Sequence, residues 1–319
     1  MNTGTRLAIY GLGLVVAFGG AFGIAGAVVP DSVIARWNEE SEMNGHEMGE
    51  GAEHDSSADT KVDSVKGQTL GLDGYVLSTI EAPEAAGEPG ELSFQIKDDG
   101  GAPLTEYART HDRDLHLIIV RSDGSQFRHV HPTLDDSTGA WSIPWEWAEA
   151  GSYRVYADFT PAGDDASGLT LTRTVHVEGE FTPRETQQSR VDHVDGFTIS
   201  LDGEMEAGTT SDLTITVMRD GEPVTTLEPY LGAFGHLVAL REGDLAYLHV
   251  HAGGADPKIG DTSGPEIAFA AKTPTSGRYL LYLDFQVDGQ VHTAEFVLDA
   301  ARGDGVKGAE SGSHSDDGH

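Results

Sequence analysis

The 319-residue sequence contains no cysteine. Disulfides, thiolate metal sites and cysteine nucleophiles are therefore excluded, as is the His₂Cys ligand set of blue-copper proteins. Basic residues are scarce, with 20 Lys and Arg against 53 Asp and Glu and a formal net charge of −33. Because nucleic acids need a basic surface, this charge argues against them as partners. So acidic a chain stays soluble at high ionic strength, which favours a halophilic source.

Helical periodicity is also missing, since no segment between the two ends repeats its apolar residues every three to four positions over a dozen residues. Short β-branched and aromatic segments such as ELSFQI, HLIIV and YRVYADF are separated by Gly, Pro and Asp. The second half returns DLTITV, HLVAL and RYLLYLDF in the same order, at a period of roughly 120 residues. The sequence therefore predicts an all-β protein with two tandem antiparallel β-sandwiches, at residues 67–180 and 190–300.

The N-terminus carries the one long apolar run, which extends from Leu7 to Val29 without a charged residue. Its length suits a bilayer-spanning helix, and Arg6 before it with acidic residues after it favours an N-in orientation. We expect residues 1–30 to anchor the chain in the cell membrane with the bulk extracytoplasmic. The alternative is a cleaved signal and a secreted protein.

Two polar segments flank the predicted sandwiches, an acidic linker at 31–66 and an acidic tail at 301–319. Both are predicted to be disordered. The linker contains Met43, His46, Met48 and His54. Thioether and imidazole groups together suit copper ions, so this segment is either a loose metal-capture arm or an ordinary linker with incidental His and Met.

Histidines repeat with one pattern, H-x12-H-x-H, in both halves of the chain. The two triads are His116, His129 and His131, and His236, His249 and His251.

A hairpin register explains how each triad could meet. If Asp123-Gly124 form the centre of a turn, His116 lies directly opposite His131, and His129 points to the same face because side chains alternate along a strand. Directly opposed residues have Cβ atoms about 4.5–5.5 Å apart, close enough for two imidazoles to share one ion. The second repeat predicts the same geometry around Gly243-Asp244.

Each repeat also places one aspartate in an apolar strand, Asp158 in YRVYADF and Asp284 in RYLLYLDF. A buried carboxylate needs a partner. It could be a fourth metal ligand, accept the second ring N–H of a ligand histidine, or cap a turn. His111 has no counterpart in the second repeat and is predicted to lie in a loop. The cluster WSIPWEW is predicted to pack between sheets or to form a rim, with a sugar-binding platform as the alternative.

The stretches DLHLIIVRSDGSQFRHVHP and GHLVALREGDLAYLHVH carry a further indication. Over residues 70–300 the chain resembles a family of poorly characterised secreted or membrane-anchored two-repeat proteins linked with heavy-metal handling. The resemblance implies an immunoglobulin- or cupredoxin-like sandwich and supports copper as the ligand.

Three functions remain open from the sequence. The first is extracytoplasmic metal binding for sequestration or for delivery to a membrane transporter, with Cu(II) favoured and Zn(II) as rival. The second is a structural or adhesion module in which the histidines fill the core. The third is a metal-dependent enzyme, because three histidines and an open position match catalytic zinc. The lack of G-x-S-x-G, H-E-x-x-H or a dedicated acid–base partner disfavours the enzyme.

Overall fold

The computed structural model describes residues 66–163, 166–248, 250–254, 256–258 and 260–303. The predicted membrane anchor, nearly all of the linker and tail, and His249 lie outside these residues. The side chain of His251 is also not described. The described residues form no helix that is long and apolar enough to cross a bilayer. The described chain is all-β with two tandem sandwiches, as predicted.

The first repeat forms two antiparallel sheets. One has the strand order β1-β2-β3-β8-β7, and the other has the order β10-β9-β5-β6 with β4 paired to β9. The strands are β1 (Gly71–Leu72), β2 (Tyr75–Leu77), β3 (Gly90–Asp98), β4 (Tyr107–Ala108), β5 (Leu115–Arg121), β6 (Arg128–Val130), β7 (Thr133–Asp135), β8 (Ala140–Trp145), β9 (Gly151–Pro161) and β10 (Leu169–Val177).

The second repeat has the same two-sheet arrangement. Its sheets have the orders β11-β12-β14-β19-β18, with β15 paired to β14, and β13-β21-β20-β16-β17, in which β13 runs parallel to β21. The strands are β11 (Val191–Val194), β12 (Phe197–Asp202), β13 (Met205–Glu206), β14 (Thr210–Arg219), β15 (Glu222–Pro223), β16 (His236–Arg241), β17 (Tyr247–Leu248), β18 (Val250–Ala252), β19 (Glu266–Lys272), β20 (Gly277–Val287) and β21 (Gln290–Ala301).

Each sandwich has its own apolar core, because alternate side chains of its strands point inward. The alternation is clear in β3, where every second residue from Leu92 to Ile96 is buried. Trp141, Trp145 and Trp147 belong to the core of the first repeat, which confirms their predicted packing role.

A third apolar cluster joins the two repeats. It is formed by the sheets β10-β9-β5-β6 and β13-β21-β20-β16-β17, which we call the facing sheets. All seven residues of β5 are buried because both of its faces are covered. Leu117 and Ile119 point into the core of their own repeat, whereas Ile118 and Val120 contact the second repeat. His116 shares the face of Ile118, so it lies at the end of this interface.

Candidate metal centre

The first histidine triad is brought together by the β5–β6 hairpin. Ile118 pairs with His129, and continuing this register places His116 opposite His131, as predicted. The turn between the strands is longer than the predicted two residues, since β5 ends at Arg121 and β6 begins at Arg128. The register nevertheless holds, and one nitrogen from each imidazole lies within 4.8 Å of the other two.

The distances identify the nitrogens that face the centre. His116 Nδ1 lies 2.9 Å from His129 Nε2 and 3.2 Å from His131 Nε2. The three ring centroids are 5.0–5.2 Å apart. Within the described part of the chain, no other group of three His, Asp or Glu residues brings its ligand atoms this close.

The remaining ring nitrogens fix the tautomers of two histidines. His116 Nε2 lies 3.1 Å from the Thr110 carbonyl oxygen, and His129 Nδ1 lies 2.8 Å from Asp284 Oδ2. Carbonyl and carboxylate oxygens only accept hydrogen bonds, so both of these nitrogens donate. In the neutral rings, His116 Nδ1 and His129 Nε2 therefore carry lone pairs that point at each other. A single hydrogen bond can join only two of the three central nitrogens. A metal ion, in contrast, can accept a lone pair from all three.

Burial keeps two of the rings in the form that binds metal. Desolvation, reinforced by the neighbouring His129, lowers the pKa of His116 to about 2. The same two causes, in the same order, lower the pKa of His131 to about 3. Both imidazoles are thus neutral near pH 7, as metal ligation requires.

The two aspartates singled out in the sequence occupy equivalent places but have different partners. Asp158 pairs with His116 across β9 and β5, and Asp284 pairs with His236 across β20 and β16. Each accepts a hydroxyl hydrogen bond of 2.6 Å from a threonine on the next strand. Asp284 also contacts His129 of the other repeat, whereas burial raises the pKa of Asp158.

Two further imidazoles lie beside the triad. His111 occupies a turn with a φ of 50°, and its ring centroid lies 5.9 Å from that of His116 and 5.0 Å from that of His236. Burial lowers the pKa of His236 to about 4, and its Nε2 donates to the Leu231 carbonyl. The prediction of a loop for His111 is confirmed, but its place beside the site was missed. The one signal was its position five residues before His116.

The second triad remains a prediction. The hairpin register is the expected one near the turn, where Ala239 pairs with Leu248. Beyond this point the chain leaves β16, and Val250–Ala252 pairs with β19 in the other sheet of the repeat, so the predicted register that sets His236 opposite His251 is wrong. His249 and the side chain of His251 lie outside the described residues.

Two openings adjoin the first triad. A cavity of about 60 Å³ is lined by His111, His116 and Asp158 among others. A wider cleft of about 310 Å³ is lined by His131 together with Arg109 and Arg113. His131 therefore connects the centre to the surface, while the side chain of His129 is only 3% exposed.

Comparison with known proteins gives a family match without an assigned activity. Residues 69–179 and 192–302, more than half of the chain, match the family described as Domain of unknown function (DUF8832). The two matched stretches agree with the internal repeat. No curated protein matches the sequence.

Solved structures give weak likenesses. A DUF4426 family protein from Pseudomonas aeruginosa is 7% identical, with a TM-score of 0.25, over 35% of this chain and 97% of its own. Salmonella alpha-2-macroglobulin is 16% identical, with a TM-score of 0.24, over 76% of this chain and 16% of its own. The bacterial integrin-binding protein invasin is 14% identical, with a TM-score of 0.21, over 71% of this chain and 39% of its own. Likenesses this weak carry no functional argument.

Proposed function

The chain belongs to the family described as Domain of unknown function (DUF8832), and because this membership assigns no chemistry, we propose a function from the site itself. The protein binds a divalent transition-metal ion at His116, His129 and His131, for sequestration or delivery outside the cytoplasm. The observation that carries the proposal is the convergence of three imidazole nitrogens within 4.8 Å, with the lone pairs of two rings facing each other at 2.9 Å.

The geometry fits an ion after a small movement. Three nitrogens about 2.1 Å from one tetrahedral ion lie about 3.4 Å from one another. The observed separations of 2.9 and 3.2 Å are shorter by only a few tenths of an ångström. A small movement of His116 away from the other two rings therefore brings both of these separations to the distance that an ion requires.

The ligand set guides the choice of metal. Neutral imidazole suits Cu(II) and Zn(II), and Cu(II) binds more tightly to a given nitrogen site. The Met and His residues of the linker suit copper as well, so Cu(II) is favoured and Zn(II) is its rival. The apolar N-terminus supports a place at the outer face of the cell membrane, where a metal transporter is a fitting partner.

The test is a titration of untagged full-length protein with Cu(II) and Zn(II), measured by isothermal calorimetry. Elemental analysis then gives the number of ions bound. We expect His116→Ala and His129→Ala to weaken one site by more than about 100-fold, because even the outer partners of ligand histidines are worth 10–100-fold. His176→Ala is the matched control, since His176 is exposed and bonds only to Ser152 in the described structure. The affinity of His176→Ala for either ion should equal that of the wild type.

Two results would contradict the proposal. If the wild-type protein retains neither ion, the triad has a structural role, as in an adhesion module. Equal binding by His116→Ala and wild type would place the metal elsewhere. Turnover by the metal-loaded protein in hydrolase or oxidase assays would instead favour the enzyme reading.

A further inference from the structure

The two repeats are held together by more than a linker. Tyr156 of the first repeat donates its hydroxyl proton to the Leu245 carbonyl, and Tyr282 of the second donates to the Gly124 carbonyl. The rings of Phe127 and Tyr282 stack with centroids 4.0 Å apart. Apolar side chains from both facing sheets fill the space between these contacts. The two repeats therefore share an interface of apolar packing and hydrogen bonds.

The histidine centre lies at one end of that interface. Asp284 is carried by β20 of the second repeat, yet its Oδ2 lies 2.8 Å from Nδ1 of His129 in the first repeat. Both side chains are almost fully buried, at 4% and 3% exposure. The other carboxylate oxygen accepts a 2.6 Å hydrogen bond from Thr293, which fixes the orientation of the carboxylate.

We infer that Asp284 is a positioning residue of the metal centre, supplied by the second repeat to the histidines of the first, so that the site is complete only when the two repeats are docked. This inference rests on the proposed metal binding. It adds that the ion reports on, and stabilises, the docked arrangement of the repeats.

The chemistry of the contact explains the role. A carboxylate that accepts a hydrogen bond from Nδ1–H of His129 keeps the proton on that nitrogen and the lone pair on Nε2, the nitrogen that faces the other two rings. It also raises the basicity of that nitrogen and limits rotation of the ring. Among the described residues, the first repeat supplies no hydrogen-bond partner to His129 Nδ1, and its equivalent acid, Asp158, bonds to Thr170.

The internal repeat provides a matched control for the experiment. Asp158 and Asp284 lie at equivalent strand positions, and each accepts a threonine hydroxyl. Only Asp284 is hydrogen-bonded to a histidine of the first triad in the described structure. Asp158→Ala therefore measures the cost of losing a buried acid, and Asp284→Ala adds the loss of the His129 contact.

The experiment uses the full chain with His249→Ala and His251→Ala, so that the second triad no longer contributes to the titration. Affinity for Cu(II) and Co(II) is measured for Asp284→Ala, Asp284→Asn and Asp158→Ala, together with the visible spectrum of the Co(II) form. We expect Asp284→Ala to weaken binding about 10–100-fold and to shift the Co(II) bands. Asp284→Asn should lose less affinity, because its amide oxygen can still accept a hydrogen bond from Nδ1–H of His129. Asp158→Ala should weaken binding less than Asp284→Ala does, because Asp158 makes no hydrogen bond to a histidine of the triad in the described structure.

Docking has a readout that does not depend on affinity. Co(II) should slow amide hydrogen exchange in β16 and β20 of the second repeat, although all three ligands belong to the first. This protection should disappear in Asp284→Ala even at saturating Co(II).

Separate outcomes overturn the two proposals. A parent protein that binds neither ion overturns the proposed function and this inference with it. A parent that binds, with Asp284→Ala equal to it in affinity and Co(II) spectrum, overturns the inference alone. Equal losses in Asp158→Ala and Asp284→Ala also overturn it, because the effect would then follow from burying an acid and not from the His129 contact.

Discussion

At the scale of single residues, the turn of the first hairpin is fixed by one carboxylate. Asp123 accepts hydrogen bonds from Nε and Nη2 of Arg121, from the backbone and hydroxyl of Ser125, and from the backbone N–H of Arg184. Burial alone would raise the pKa of Asp123, but these donors outweigh it and lower the pKa to about 2. The charged form is therefore the one that the fold stabilises.

We predict that Asp123→Asn destabilises the protein by about 2 kcal/mol at pH 7, since hydrogen bonds to a charged group are lost. The folded pKa lies below the unfolded one, so this contribution is complete above about pH 4 and disappears as the pH falls towards 2. Urea unfolding of both proteins at several pH values measures the difference.

The equivalent turn in the second repeat supplies the control. Asp244 pairs with Arg241, but its side chain is 42% exposed. Asp244→Asn should cost less than about 1 kcal/mol, as exposed ion pairs do. A loss for Asp123→Asn that stays constant from pH 7 to pH 2 would show that its charge is not the cause.

At the scale of secondary structure, the first hairpin could be predicted and the second only in part. The register that joins Ile118 to His129 follows from turn position and strand alternation, which are local properties. The second hairpin keeps its register at Leu248 and then passes to another sheet at Val250. Identical histidine spacing does not encode which sheet an outgoing strand joins, because that choice depends on distant strands.

The first hairpin turn also contacts the other repeat through a glycine. Gly124 has a φ of +79°, and a Cβ at this position would lie 2.4 Å from Leu280 Cδ1. We predict that Gly124→Ala destabilises the protein by about 1–3 kcal/mol beyond the cost of its backbone conformation, because it overpacks the interface. Denaturant unfolding provides the measurement.

Gly196→Ala isolates the backbone cost. Gly196 has a φ of +83°, and among the described residues no heavy atom beyond its own chain neighbours lies within 4 Å of the place its Cβ would take. It should lose only the roughly 1–2 kcal/mol expected for an alanine with positive φ. Equal losses for the two variants would mean that Leu280 moves aside without cost.

At the scale of the whole molecule, the sequence predicts two sandwiches but not how they dock. Alternation identifies one buried face for each strand, and the second buried face of β5 appears only when the other repeat covers it. For the same reason the sequence left the role of Asp284 open. Its contact with His129 joins residues 155 positions apart, on strands whose proximity depends on the facing sheets.

This docking predicts that the two repeats unfold as one unit. Three of the four tryptophans, Trp141, Trp145 and Trp147, lie in the core of the first repeat, so the change in tryptophan fluorescence on unfolding follows mainly that repeat, while far-UV circular dichroism follows both. Leu281 is fully buried in the core of the second repeat. Leu281→Ala should cost about 2–5 kcal/mol and shift both signals to the same lower denaturant concentration.

The shift of the tryptophan signal is the decisive part of this measurement, because the substitution touches no residue of the first repeat's core. Coupling must then pass through the interface formed by Ile118, Tyr156, Val238 and Tyr282. A biphasic circular dichroism curve with an unmoved tryptophan transition would show that the repeats unfold independently. The interface would then be too weak to maintain the contact between Asp284 and His129. Protection of backbone amides from hydrogen exchange by the metal would be confined to the first repeat.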